Sequence, residues 1–155
     1  MIFKDTMKIK LDEGAYMPTR AHETDAGLDL YAMEAHLVPA KGFAEFDTGV
    51  HIELPYVYGS NGLYAEKYKT VGFLKSKSGL NVKHGIVGEG VIDMGYTGSI
   101  RVKLYNNSNV NYMVQAGDKI SQLVILPIIT PELELVDELE ETERGDGGFG
   151  STGRR

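Results

Sequence analysis

The sequence contains no cysteine, so disulfide bonds and thiolate metal sites are excluded. It also lacks any apolar run approaching the roughly 20 residues that a membrane-spanning helix requires. The first segment, from Met1 to Leu11, has neither the apolar stretch nor the cleavage site of a secretory signal. We therefore expect a cytoplasmic protein without a membrane segment.

Positive charge is scarce as well. The 155 residues carry a formal net charge of −6, and residues 132–143 contain seven carboxylates and no basic side chain. The rest of the chain is therefore close to neutral, whereas proteins that bind duplex nucleic acid usually present a broad basic surface. Nucleic acid is not an expected partner, and the acidic run is most simply a solvated connector.

Alternation of apolar and polar residues dominates what is present. From Phe46 to Leu54, apolar residues and Thr48 occupy one face, and mostly charged residues occupy the other. The segments Met7 to Leu11 and Ile100 to Leu104 alternate in the same way. A period of two residues is typical of half-buried antiparallel strands.

Two apolar segments depart from this alternation. The run from Leu123 to Leu126, closed by Pro127, predicts a fully buried strand, and a single short helical turn is predicted near Leu80 to Lys83. Many short strands separated by polar turns predict an all-β fold, either a sandwich or a barrel.

Two segments stand apart from this single β domain, which we place at residues 1–143. Residues 55–71 contain four tyrosines and the pair Asn61-Gly62, and they predict either an extra hairpin or a loop. Residues 144–155 contain five glycines and one large apolar residue, Phe149, which is too little to hold the segment in place. That tail is either a disordered terminus or a flexible arm that orders over a ligand.

One motif in the tail is misleading. Residues 145–150 satisfy the pattern G-x-G-x-x-G, which binds dinucleotides when it lies between a strand and a helix. Only five residues follow this motif, so no helix and no further strand can complete the unit. A dinucleotide-binding fold is therefore excluded.

Three other positions combine residue types that suit chemistry on a phosphorylated ligand. Asp93 follows two β-branched residues at a predicted hairpin turn, where partial desolvation would make it a general base for water, with Tyr96 close by. Residues 75–79 combine lysines, serines and a glycine, which is a plausible phosphate cradle. Asp25 and Asp29 flank Gly27 and, beside a triphosphate, could hold a hydrated magnesium ion. Each of these positions also has an ordinary interpretation as a turn or a solvated loop. Gln122 likewise has an ordinary interpretation as a plain strand residue.

The order of these segments along the chain favours the functional interpretation over the ordinary one. Five segments resemble, in sequence and in order, the motifs of the trimeric deoxyuridine triphosphatase (dUTPase) family, and they extend over nearly the whole chain. They are residues 25–32, 75–80, 90–98, 117–124 and 144–153.

The resemblance implies a distorted jelly-roll-like β fold and a homotrimer whose active sites borrow segments from all three chains. It implies hydrolysis of dUTP to dUMP and pyrophosphate, with Mg²⁺ as cofactor. Asp93 would activate the attacking water, Tyr96 would exclude a ribose 2′-hydroxyl, and Asp29 would hold a water bound to magnesium. The other substrate-binding positions that it implies are Lys77, Ser78, Gly79, Gly90, Val91, Ile92, Gly98, Gln122, Arg144, Phe149, Gly150, Ser151 and Thr152.

The chain departs from the family pattern in three places. Lys77 stands where the family usually has arginine, and lysine cannot make the same two-pronged contact with phosphate. Gly95 stands where an acidic residue is common. Residues 55–71 are longer than the usual connection, and because such insertions can serve other partners in phage-type members, a protein partner is a second expectation there.

Three other functions compete with dUTP hydrolysis. A deoxycytidine triphosphate deaminase shares the fold, but the glycine-rich fifth segment with Phe149 favours the pyrophosphatase. A regulatory protein that keeps the site but acts by contacting another protein has residues 55–71 as its support. A purely structural jelly roll leaves all five segments unexplained.

Overall fold

Short antiparallel strands make up most of the computed structural model, which describes residues 2–4, 6–60 and 65–148. The strands are β1 (Ile2–Lys4), β2 (Lys8–Leu11), β3 (Gly27–Tyr31), β4 (His36–Val38), β5 (Phe43–Asp47), β6 (Val50–Glu53), β7 (Val57–Ser60), β8 (Ala65–Lys75), β9 (Ile86–Val87), β10 (Gly90–Ile92), β11 (Arg101–Asn106), β12 (Tyr112–Val114) and β13 (Lys119–Ile128). One helix, α1 (Ser78–His84), lies in this described part of the chain and ends at Gly85, whose φ is +66°. The all-β prediction and the single short helix are both confirmed.

The long strand β8 organises the largest sheet. Its first residues pair with β7, which pairs in turn with β1, and its later residues pair with β13 and β10. Strand β13 continues the sheet to β3. The remaining ladders are β5–β11–β9, β12–β4 and β2–β6. No helix in the described residues is long and apolar enough to cross a membrane.

The core lies between these ladders and uses the faces that the alternation predicts. Phe46, Thr48, Val50, Ile52 and Leu54 are all at most 5% exposed, which confirms the face assigned to them. The segment is two strands rather than one, because the chain bends at Gly49, whose φ is +62°. A Cβ atom at Gly49 would lie 2.6 Å from the sulfur of Met33, so the bend also brings the backbone too close for any side chain.

The prediction of a fully buried strand from Leu123 to Leu126 is wrong in part. Strand β13 continues through Pro127 to Ile128, and Leu126 is 47% exposed although Leu123 is buried. Strand β3 pairs with β13 only as far as Val124, so the later residues have β8 as their remaining partner. Proline is tolerated in such a position because an edge strand does not need every N–H for its ladder.

The predicted hairpin around Asp93 is also wrong. Strand β10 pairs with β8, and β11 pairs with β5 and β9, so the segment from Asp93 to Ser99 connects two different sheets. Residues 55–71, in contrast, do contain a hairpin, since β7 and β8 pair from Val57 opposite Tyr68 to Ser60 opposite Ala65. Its turn, with Asn61-Gly62, lies outside the described residues.

Candidate active site

Asp29 lies at the centre of a charged cluster that joins three segments distant in sequence. Its side chain is 8% exposed, and its backbone pairs with Thr19 on one side and Gln122 on the other. One carboxylate oxygen accepts a hydrogen bond from the ammonium group of Lys77, and the other lies 2.8 Å from Nζ of Lys119. Residues 29, 77 and 119 therefore meet at one end of β3 and β13.

The two lysines determine the ionisation of Asp29. Burial alone would raise the pKa of this carboxyl, but the hydrogen bonds from Lys119 and Lys77 outweigh it, and the pKa lies below the ordinary value of 3.8. The same contact with Asp29 raises the pKa of Lys119. Asp29 is therefore a carboxylate that holds two cations in place across the strands.

Replacing Asp29 with asparagine should lower the free energy of unfolding by about 2 kcal/mol near neutral pH. The change leaves two ammonium groups together without a counter-charge, and the loss is smaller than for a fully buried pair because Lys119 is 43% exposed. Since the folded-state pKa of Asp29 is lowered, its contribution is complete above pH 3.8 and declines as the pH falls below it.

Urea denaturation at neutral and acidic pH would measure this effect. The matched control is Glu53→Gln, which breaks an exposed ion pair with Lys8 and should change stability very little. A difference between wild type and Asp29→Asn that stays constant as the pH falls would contradict the ion-pair explanation.

The lysine- and serine-rich turn, residues 75–79, lies directly beside this cluster. Gln122 pairs in register with Lys75 on one side and with Asp29 on the other, and its amide donates to the Ser76 carbonyl at 3.3 Å. Ser78 and Gly79 are exposed, and nothing lies within 4 Å of where a Cβ of Gly79 would be. The hydroxyl of Ser78 and the backbone at Gly79 are therefore open to a ligand.

A second group of predicted residues lies around Asp93. The Asp93 carbonyl accepts a hydrogen bond from the Tyr96 backbone at 3.0 Å, which closes the turn, and Gly95 within it has a φ of +100°. The Tyr96 hydroxyl donates to the Ser99 carbonyl at 3.0 Å, so the ring lies over Gly98. A Cβ there would lie 2.5 Å from the Tyr96 hydroxyl oxygen, so any larger residue would displace the ring.

Asp93 and Tyr96 line a cavity of about 230 Å³ together with Val91, Ile92 and Arg101. Asp93 itself is exposed, so the expectation of a partly desolvated carboxylate is wrong for the single chain. The reason is that Ile92 and Met94, on either side of Asp93, are the residues that pack into or against the core, which leaves the Asp93 side chain exposed.

The two groups lie at opposite ends of one ladder. Strand β10 pairs from Gly90 opposite Leu74 to Ile92 opposite Gly72, so Asp93 extends away from the end of β8 that leads into Ser78. At about 3.3 Å per residue, the strand between Gly72 and Lys75 alone spans about 10 Å. A single chain therefore does not bring Asp93 to Ser78.

The remaining predictions fall on the C-terminal segment. Arg144 is exposed, and its Nε donates to the Gly147 carbonyl at 2.9 Å in a turn that includes Gly145 at a φ of +49°. Phe149, Gly150, Ser151 and Thr152 lie outside the described residues. Residues 129–148 contain no helix or strand, and Leu133 and Leu135 are more than 95% exposed.

Magnesium has no ready-made protein site in the part of the chain that the structure describes. No group of three or more potential metal-ligating His, Cys, Asp or Glu side chains occurs there. Both oxygens of Asp29 are engaged with lysines, but each carboxylate oxygen can accept two hydrogen bonds, so a water molecule can still be bound. Asp29 and its neighbours therefore fit a magnesium ion that is bound mainly by the phosphates of a ligand and reaches the protein through water.

Three contributors were missed from sequence. Lys119 lies inside the fourth segment but carries no predicted role, although a lysine next to a buried strand is a usable signal for a buried carboxylate partner. Ser76, whose hydroxyl exchanges hydrogen bonds with the Gly88 backbone at 3.0 and 3.1 Å, holds the 75–79 turn in place. Arg101 lines the Asp93 cavity and could be found only once the sheets are known.

The fold and these two groups define an all-β protein of the class that binds phosphorylated nucleotides. The model of the dUTPase family matches residues 13–153, and the chain belongs to that family. The deoxyuridine 5′-triphosphate nucleotidohydrolase of Solanum lycopersicum is 44% identical over 145 residues, covering 93% of this chain and 79% of that protein. The corresponding protein of Paramecium bursaria Chlorella virus 1 is 43% identical and covers 93% and 94%.

Solved structures of dUTPases are similar to this chain along most of its length. The dUTPase of Staphylococcus bacteriophage 80alpha with dUPNHPP has a TM-score of 0.80 and 32% identity, covering 96% of this chain and 99% of that one. A mutant dUTPase from phage phi11 of S. aureus, described with a structural Mg(II) ion, has a TM-score of 0.73 and 31% identity, covering 88% and 100%.

Proposed function

We propose that this protein hydrolyses dUTP to dUMP and pyrophosphate. The carrying observation is that Asp29, Lys77 and Gln122, from three separate family segments, converge beside the exposed Ser78 and Gly79. A cationic turn with free hydroxyl and backbone donors suits a triphosphate. The reaction removes uracil nucleotides that would enter DNA and supplies dUMP for thymidylate synthesis.

The chemistry requires a base that acts on water. Asp93 accepts a proton from the water as the oxygen bonds to the α-phosphorus, and the bond from that phosphorus to the bridging oxygen breaks to release pyrophosphate. Such displacement depends mainly on position and charge neutralisation. Ser78 and Gly79 donate to the phosphate oxygens, and Lys77 keeps two of its three N–H groups available beside its bond to Asp29.

Base and sugar selection belong to strand β10 and the Asp93 loop, which is residues 93–99. The backbone at Gly90, Val91, Ile92 and Gly98 faces the uracil edge, and the narrow space excludes a thymine methyl group. Tyr96, supported by its bond to Ser99, packs against the deoxyribose and leaves no room for a 2′-hydroxyl.

The family resemblance implies a homotrimer, and the separation of the two groups supports sites that are shared between copies. Because Asp93 and Ser78 lie at opposite ends of the β10–β8 ladder, a complete site takes Asp93 from one copy and the phosphate turn from another. Residues 144–155 of a third copy close over the nucleotide, with Arg144, Ser151 and Thr152 at the γ-phosphate and Phe149 with Gly150 at the base. Packing of the copies would also desolvate Asp93.

Asp29 would bind a water of a magnesium ion carried by the triphosphate, and the chemistry that such an ion would supply is neutralisation of the charge on pyrophosphate. We place the reaction in the cytoplasm, and we expect neither a membrane nor nucleic acid to take part in it. Residues 55–71 stay a candidate surface for a protein partner.

The deciding measurement is pyrophosphate release from dUTP, dTTP, dCTP and UTP in parallel, with and without magnesium. We expect turnover of dUTP alone, dependent on magnesium, with kcat/KM for each of the others lower by at least about 10²-fold. Release of ammonia from dCTP would instead identify a deaminase. A folded protein that turns over none of the four would contradict the proposal and favour a regulatory role.

A further inference from the structure

His51 links the start of the chain to the Asp93 loop. It lies on β6, where its backbone pairs with Lys10 of β2, and its side chain is 19% exposed. Ring atom Nδ1 is 2.8 Å from the carbonyl oxygen of Thr97, and Nε2 is 3.0 Å from a carboxylate oxygen of Asp12. None of the family segments contains His51 or Asp12.

The two acceptors determine the charge of the ring. A backbone carbonyl cannot donate a hydrogen bond, and neither can an ionised carboxylate. The two contacts are both hydrogen bonds only when each ring nitrogen carries a proton, that is, when His51 is an imidazolium. The contact with Asp12 first, and the contact with Thr97 second, raise the pKa of His51, and the same pair lowers the pKa of Asp12.

The bond to Thr97 orients the next peptide group. The described peptide bonds include no cis bond, and in a planar trans peptide the C=O and N–H point in opposite directions. Holding the Thr97 oxygen towards His51 therefore directs the Gly98 N–H to the other side of the loop. Gly95 and Gly98 flank this position, and glycine leaves the backbone free to rotate unless something holds it.

We propose that protonated His51, held by Asp12, is a positioning residue that fixes the Thr97–Gly98 peptide so that the Gly98 N–H faces the nucleobase. The proposal rests on the proposed function for its ligand. It assigns the Asp12–His51 pair to base recognition. It also makes uracil affinity depend on the proton of His51, because a neutral ring turns a lone pair towards Asp12 or Thr97 and loses one of its two hydrogen bonds.

The rest of the loop has anchors of its own. Ser99 donates to the Asp47 carboxylate, and the Ile100 N–H donates to the Val50 carbonyl at 2.9 Å. Because these contacts remain when His51 is changed, the loop stays attached while the Thr97–Gly98 peptide loses its fixed direction. Substitution at His51 should therefore affect substrate binding more than folding.

Charged groups around His51 act in both directions. Lys10, 3.7 Å from the Asp12 carboxylate, disfavours the imidazolium, and Lys8 and Glu53 form a pair on the same surface. Asp47 acts on Asp12 and opposes its ionisation. Since Asp12 prevails, the pKa of His51 lies above 6.5, and the proton is lost only as the pH rises through that higher value.

The test is the pH dependence of KM and kcat for dUTP in four variants. His51→Ala should raise KM about tenfold with kcat changed less than about twofold, because a charged hydrogen bond that orients a binding group is lost. His51→Asn puts an amide donor in the place of Nδ1 and so keeps a neutral donor for Thr97; KM should stay near the wild-type value and lose its rise at alkaline pH. Asp12→Asn should move that rise to lower pH.

His22→Gln is the matched control. His22 also faces an aspartate, with Nδ1 3.5 Å from Asp25, but its side chain is 80% exposed and it contacts no carbonyl of the Asp93 loop. Its KM and pH profile should equal those of wild type. An unchanged KM in His51→Ala, or an alkaline rise that persists in His51→Asn, would overturn the proposal.

Nitrogen NMR of the imidazole rings separates this proposal from the proposed function. The His51 signal, identified by its loss in His51→Asn, should titrate with a pKa above 6.5 without any substrate. A pKa of His51 at or below 6.5 overturns the proposal even in an active dUTPase. A pKa above 6.5 in a protein that does not turn over dUTP overturns the proposed function, and the base-recognition role falls with it.

Discussion

Asp93→Asn is expected to lower kcat for dUTP by at least about 10²-fold, the scale of losing a general base. The amide has nearly the same shape as the carboxylate but cannot accept the proton of the attacking water. The hydrogen bond that closes the turn uses the Asp93 backbone carbonyl, so the loop should keep its conformation. Binding of a non-hydrolysable dUTP analogue should therefore change little.

Single-turnover kinetics and analogue binding together test this expectation. Glu45→Gln is a suitable control because it also removes one exposed carboxylate. Glu45 lies on β5, pairs with Lys103 of β11 and is outside both groups. A kcat for Asp93→Asn within tenfold of wild type would show that another group activates the water. A lost analogue affinity would show that Asp93 binds the nucleotide instead.

Patterns of single strands could be predicted from sequence because they depend on local alternation. The face formed by Phe46, Thr48 and Val50 is buried as predicted, since a period of two leaves one side of a strand apolar. The bend at Gly49 was not predicted, because it depends on Met33 and Ala15, which approach from elsewhere in the chain.

Strand partners could not be predicted in the same way. The apolar segment before Asp93 and the alternating segment after it look locally like a hairpin, but β10 pairs with β8 and β11 with β5. A short turn between two strands permits pairing without requiring it, because burial of each apolar face decides which sheet the strand joins. Long-range pairing of this kind carries no local signal.

The residues of the candidate site show the same difference between what a sequence segment indicates and what depends on distant contacts. Asp29, Lys77 and Gln122 were identified from segments that resemble a known family, and the structure brings them together. Lys119 and His51 were not identified, because their importance comes from partners 90 and 46 positions away. The resemblance indicates which residues matter, whereas the contacts show how one residue holds another in place.

Removal of residues 144–155 is expected to reduce turnover of dUTP by about 10²-fold while the β domain stays folded. In the described part of this segment, Arg144 bonds only within its own turn, and the strands end at Ile128. The segment therefore contributes little to the core. Its proposed role is to exclude water and bring backbone and cationic donors to the phosphates, and loss of such closure lowers the rate of reaction.

Circular dichroism and thermal unfolding would establish that the truncated protein is folded, and steady-state kinetics would measure the loss. Truncation after residue 150 is the finer variant, because it keeps Arg144, Phe149 and Gly150 but removes Ser151 and Thr152. Turnover equal to wild type in the shorter protein would exclude a role for the segment in the reaction.

Mixing the two inactive proteins tests whether sites are shared between copies. Asp93→Asn chains keep the C-terminal segment, and truncated chains keep Asp93. Co-refolded assemblies of the two therefore contain some sites in which both parts are intact, if those parts come from different chains. Activity well above that of either protein alone is then expected. If both parts came from one chain, every site would lack one of them, and mixing would restore nothing. Recovery would therefore show that Asp93 and the C-terminal segment of one site belong to different chains, which is the sharing of sites that the separation of Asp93 from Ser78 also supports.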